Sequence, residues 1–77
     1  MPYDGGIMRK VVLKEEYIKL GQALKAARLV DSGVDAKFAV LEGIVKVNGS
    51  VELQRGKKLY AGDVVEFQGE QIQISES

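Results

Sequence analysis

The chain has no cysteine, so disulfides, thiolate metal sites and cysteine nucleophiles are excluded at once. It has no histidine either, which removes the commonest general base and the commonest metal ligand. There is no tryptophan, and the only aromatics are Tyr3, Tyr17, Phe38, Tyr60 and Phe67. No apolar run approaches the roughly 20 residues that span a membrane, and no charged-then-greasy leader precedes the first polar stretch. Net charge is absent too: eleven basic residues balance eleven acidic ones, so no global field attracts a polyanion or an anionic surface. What is present is 77 residues with 45% hydrophobic and 29% charged side chains, the profile of one small globular domain. A chain this short buries only about 60% of its unfolded surface. We expect a cytoplasmic module that binds rather than transforms, with no cofactor, no metal and no membrane partner.

The charge is balanced in sum but not in distribution. Residues 1–36 carry a net +1, residues 37–58 a net +3, and residues 59–77 a net −4. Lys37, Lys46, Arg55, Lys57 and Lys58 fill the middle stretch, whereas Asp63, Glu66, Glu70 and Glu76 dominate the end. A basic middle followed by an acidic end suggests two faces of opposite sign, against the plainer reading of two solvated surfaces.

Residues 1–6, with their Gly5-Gly6 pair, read as a flexible lead-in to a single domain over 7–77. Residues 7–13 alternate weakly, as a short strand does. From Glu15 the period changes: Ile18, Leu20, Ala23, Leu24 and Ala27 recur at helical spacing. Glu15 and Glu16 would then complement the helix dipole at the start, and Lys25 and Arg28 at the end. Gly21 inside this stretch costs roughly 1 kcal/mol against Ala, which suggests that another element packs closely there. Ser32 or Asp31 caps a second helix, with Asp35 in the position of a capping-box acid. Ala36, Ala39 and Val40 form its buried stripe, and Gly43 ends it. Strands follow. Val45 and Val47 share a face, Asn48-Gly49 signals a type I′ hairpin, and Gly62-Asp63 marks a further turn. Val65 with Phe67 and Ile72 with Ile74 form two more strand faces, joined through Gly69-Glu70. The expected fold is α+β: two packed helices, then a small, bent, mostly antiparallel sheet. Its expected core is Val11, Leu20, Leu24, Ala36, Val40, Val45, Val47, Val65 and Phe67.

The order and spacing of these pieces carry more than any one of them. Leu20, Leu24, Leu29, Ser32, Ala36, Lys37 and Val40 lead into Gly43-Ile44-Val45-Lys46-Val47-Asn48-Gly49 and then Gly62-Asp63-Val64-Val65. This resembles the RNA-binding domain named after the fourth small-subunit ribosomal protein, the alpha-L motif. The run 43–49 matches that family's Gly-x-Val-x-Val-Asn-Gly signature, and Gly62-Asp63 its late turn. The resemblance has its core at 18–67. Residues 17–27 with Arg55-Gly56-Lys57-Lys58-Leu59 look most like the stand-alone bacterial YbcJ-type members, in which the domain is nearly the whole protein.

The resemblance implies two helices on a sheet and a groove beside the second helix that holds structured RNA. Lys37, Arg55, Lys57 and Lys58 are the residues expected to contact phosphates, with Lys25 and Arg28 as further candidates. Arg55, Lys57 and Lys58 surround Gly56, so a phosphate can approach closely, and Arg can grip it with two donors. Each of these cations also reads as an ordinary solvated side chain, and Lys25 and Arg28 as helix-terminal charges. Five aromatics without an RNP-like cluster argue against stacking on single-stranded bases, so phosphate and shape readout of folded RNA, ribosomal RNA among the candidates, is the expectation. The chain departs from the family pattern at Gly33, where an arginine usually follows the serine. Arg28 is expected to replace that contact in part.

Two other functions compete. An adaptor could use the acidic 63–76 end to hold a basic protein partner. An enzyme could use Asp63 with Glu66, or Glu15 with Glu16, but these acids read better as a turn residue and as helix-start charges. We expect no catalysis.

Overall fold

The turn chemistry of the sequence sets the order of the elements. The computed structural model describes residues 8–76. The lead-in expected over residues 1–6 lies outside the described residues. The elements run β1 (Met8–Val12), β2 (Ile18–Lys19), α1 (Leu20–Ala26), α2 (Gly33–Leu41), β3 (Val45–Val47), β4 (Ser50–Val51), β5 (Lys58–Leu59), β6 (Val64–Phe67) and β7 (Glu70–Ser75). Five strands form one sheet in the order β1-β7-β6-β3-β4, and β2 pairs with β5 in a separate ribbon. Among the described residues only the β1–β7 pairing is parallel; the other strand pairs are antiparallel. The fold is therefore α+β with a mostly antiparallel sheet, as expected.

The first helix is shorter than its periodicity suggested. Residues 15–16 lie in a bend, and Ile18-Lys19 is extended and paired with Leu59 and Lys58. Glu15 and Glu16 are thus not partners of a helix dipole. Apolar residues at 18, 20 and 24 fit a helix and a strand-then-helix equally, and pairing with Leu59 decides for the second. Lysine has no acceptor to cap α1, and the Lys19 N–H instead donates to Gln22 Oε1 at 3.4 Å. At α2 the cap is the expected one: Ser32 Oγ accepts from the Asp35 N–H at 3.2 Å.

Sixteen buried apolar residues form one cluster drawn from both helices and both sheets, and all nine expected core residues belong to it. Register explains the sheet's contribution. Val47, Val65 and Ile72 face one another across β3, β6 and β7, and Val11 stands beside Ile74 at the β1 edge. Residues opposite one another point to the same face, so this row presents a continuous apolar surface to the helices. Leu13, Ala23, Ala27, Ala39, Leu59, Ile72 and Ile74 complete the core beyond those nine.

Two motif positions tie the sheet together. Asn48 and Gly49 have φ of 52° and 86°, the left-handed pair that a type I′ turn needs. Asn48 then reaches across. Its Nδ2 donates to Asp63 Oδ1 at 3.2 Å, and its Oδ1 accepts from the Val64 N–H at 3.0 Å. Asp63 Oδ2 accepts in turn from the Tyr60 N–H at 2.8 Å. The Asn-Gly and Gly-Asp turns are therefore two halves of one hydrogen-bonded tie. At the last hairpin the turn residues are Gln68 and Gly69, with φ of 53° and 79°, while Glu70 already pairs with Phe67. The turn thus falls one residue earlier than Gly69-Glu70.

Candidate nucleic-acid interface

The loop between β4 and β5 is zipped onto the start of α1. Helix N-termini leave their first N–H groups unpaired. Here the Leu20 N–H donates to the Lys57 carbonyl at 2.8 Å and the Gly21 N–H to the Arg55 carbonyl at 3.0 Å. The loop is closed on itself by the Lys57 N–H donating to the Gln54 carbonyl at 3.1 Å. These bonds fix the backbone of 54–57 against α1 and leave its side chains outside.

The result is a cleft between the starts of the two helices and this loop. Lys19, Gly21, Gln22, Lys25, Gly33, Ala36, Arg55 and Gly56 line it. Three cations converge there and no acid does, while three glycines keep side-chain bulk low. At about 270 Å³ the cleft is below the roughly 300–1,000 Å³ typical of small-molecule pockets. It suits one or two phosphates of a larger ligand. A wider hollow of about 520 Å³ lies by Lys14, Glu15, Glu16, Tyr60 and Glu76. Three acids to one base make that hollow unsuitable for a polyanion.

Of the expected site residues, Lys25 and Arg55 come together in the cleft. Lys37 is exposed on α2, one residue beyond Ala36 of the lining. Lys57 is exposed beside Arg55 and holds α1 through its backbone. Lys58 is turned to another use: its Nζ stands 4.8 Å from the centre of the Tyr17 ring, in a cation–π contact. Tyr17 also packs against Tyr60 at 6.0 Å between ring centres. Arg28 takes a left-handed φ of 60° after α1 and does not line the cleft. The residue that reaches Gly33 is Arg55, whose Nη1 is 3.5 Å from the Gly33 carbonyl.

Lys19, Gly21 and Gln22 were missed as lining residues. The helical period over 18–27 puts Lys19 on the polar side of a longer helix, whereas it is extended and paired with Lys58. No local signal marks it, because it joins the cleft only through the two-residue pairing of Ile18-Lys19 with Lys58-Leu59. The close packing expected at Gly21 is present, and its partner is Arg55.

The two expected faces of opposite sign are not cleanly separate, because Lys46 and Glu66 stand opposite one another on the same face of the sheet. Among the described residues the single ion pair is Arg9–Glu70 at 2.7 Å, so no cation of 37–58 is neutralised by an acid of 63–76. Arg9 also donates from Nη1 to the Ala27 carbonyl at 2.8 Å, which ties β1 to the end of α1. Lys46 stands opposite Glu66 in the β3–β6 register, outside the cleft.

The fold defines a small domain of alpha-L type. The family model for the S4 domain matches residues 11–75, and the chain belongs to the S4 domain family. Among curated relatives, the "Probable ribosome maturation protein RlbA" of Bacillus subtilis (strain 168) is 46% identical over 59 residues, 77% of this chain and 83% of the relative. YbcJ of Escherichia coli (strain K12) is 39% identical over 61 residues, 79% of this chain and 87% of YbcJ. The solution structure of E. coli YbcJ, described as revealing an alpha-L motif involved in RNA binding, superposes with a TM-score of 0.72. It is 36% identical and covers 97% of this chain and 96% of YbcJ. Among the described residues, no helix is long and apolar enough to cross a membrane.

Proposed function

We propose that this chain is a non-catalytic, cytoplasmic RNA-binding protein that grips the phosphate backbone of structured RNA, with ribosomal RNA as its substrate class. The observation that carries the reading is the convergence of Lys19, Lys25 and Arg55 on one acid-free cleft. A neutral protein has no long-range pull on RNA, so affinity has to come from a few close phosphate contacts, each releasing counterions. Lys37 and Lys57 extend the cationic surface to either side. Lys58 and Arg28 are peripheral in this reading. The kinship with YbcJ, described as RNA-binding, supports RNA as the ligand, and the kinship with RlbA, described as a ribosome maturation protein, supports ribosomal RNA as its source. No cofactor or metal takes part.

Filter binding of ribosomal RNA across a salt series tests the proposal. The expected result is saturable binding whose log affinity falls against log salt with a slope of about −3.5 to −4.5, since each of the five cations Lys19, Lys25, Lys37, Arg55 and Lys57 contributes about 0.7 to 0.9. A salt-independent or absent interaction would overturn it.

A protein partner is the second reading, and the outer face of α2 favours it. Val34, Phe38 and Leu41 recur there on successive turns at 61%, 58% and 60% exposure. That face, rather than the acidic 63–76 end, is where a protein would bury apolar surface.

A further inference from the structure

Glycine in a helix is normally a cost, and Gly21 lies in the first turn of α1. It is buried, and a Cβ built on it would stand 2.7 Å from Arg55 Cγ and 3.2 Å from Arg55 Cδ. Those atoms are the middle of the arginine stem, not its mobile end. Nor can the loop simply retreat, because the Gly21 N–H holds the Arg55 carbonyl at 3.0 Å. An alanine at 21 would therefore swing the Arg55 side chain about its first torsion, away from α1. Its guanidinium would leave the Gly33 carbonyl, 3.5 Å from Nη1. Gly33 itself offers no such constraint, since a Cβ there meets nothing within 4 Å.

We infer that Gly21 is a positioning residue for RNA binding: its bare backbone is the seat across which the Arg55 stem lies, and this aims the guanidinium into the cleft at the start of α2. The inference rests on the proposed RNA-binding role of the cleft. It assigns the cost of a helical glycine to function rather than to packing of the core.

The test is a double-mutant cycle of the parent, G21A, R55A and G21A/R55A. Each binds a fluorescein-labelled RNA stem-loop over a salt series, with thermal melts in parallel. G21A should weaken binding about as much as R55A, on the order of tenfold, because one charge-assisted contact is lost in both. Both should lose just under one unit of salt slope, about 0.7 to 0.9. The double variant should bind like R55A alone. Since Ala is the better helix former, G21A should melt no lower than the parent once Arg55 has moved. Should G21A instead melt lower through the clash, removal of the Arg55 stem in G21A/R55A must restore the melt. A double variant that stays destabilised would overturn the seat. So would G21A binding like the parent while R55A binds weakly, or a further loss in the double variant. If R55A itself binds like the parent, the RNA-binding reading of the cleft has failed, a result distinct from failure of the seat.

Discussion

The two ends of the β3–β6 region use their polar residues in opposite ways. At the Asn48–Asp63 end every notable side chain is spent on the fold: Asn48 and Asp63 bond each other and close two turns. At the Arg55 end the backbone does the holding, through the Leu20 and Gly21 N–H groups, and the cationic side chains are left outside. The comparison teaches that the most recognisable letters of the motif are structural. In the proposed reading the binding chemistry sits outside those letters, in Lys19, Lys25 and Arg55.

The largest expected effect breaks both ends together. Val47 is 8% exposed in the row with Val65 and Ile72, so Val47→Asp buries a charge with no partner. A domain of marginal stability should then lose its cooperative thermal transition altogether. A retained transition would refute the packing described for β3.

Asp63→Ala should come next. It removes the acceptor of the Tyr60 N–H and of Asn48 Nδ2 at exposed positions that water can reach, a loss of about 0.5–1.5 kcal/mol. For a domain of this size each kcal/mol lowers the melting temperature by about 4–8 °C. The salt slope of RNA binding by the folded protein should stay at the parent value. A changed slope would mean that Asp63 belongs to the interface and that the two ends are not separate.

Arg55→Ala should show the reverse pattern. Its side chain is exposed and its only hydrogen bond among the described residues is a long one, so the melt should shift by less than about 0.5 kcal/mol. Binding should weaken uniformly across RNA sequences, as loss of a phosphate contact does.

Most of the fold was readable because its signals are local. Asn48-Gly49, Ser32 and Gly43 each demand one backbone geometry, and the alternation of Val45, Val47, Val65, Phe67, Ile72 and Ile74 fixes which face is buried. The β2–β5 ribbon was not readable, because two-residue strands have too short a period to distinguish from the first turn of a helix. The site was legible in part for the same reason. Arg55 and Lys25 stood out by charge, but Lys19 joins them only through that ribbon. Lys58 looks equal to Lys57 in sequence, yet its ammonium stands over the Tyr17 ring. Arg28 was expected to compensate for Gly33 as its chain neighbour, whereas the loop brings Arg55 from 22 residues away.

The smallest effect sharpens the comparison. Gly33→Arg adds a cation where a Cβ meets nothing within 4 Å, beside the existing cleft. Stability should change by less than about 0.5 kcal/mol. The salt slope should steepen by up to about 0.7 to 0.9. An unchanged slope would mean that RNA does not approach the start of α2.

The most direct test of the account is the salt slope of ribosomal RNA binding by the triple variant Lys19→Ala, Lys25→Ala and Arg55→Ala, compared with the parent under identical conditions. All three side chains line the cleft and are exposed, so the variant should fold. The account predicts that the slope loses about 2 to 2.7 units, at about 0.7 to 0.9 for each phosphate contact removed. A folded triple variant with the parent's affinity and slope would contradict it.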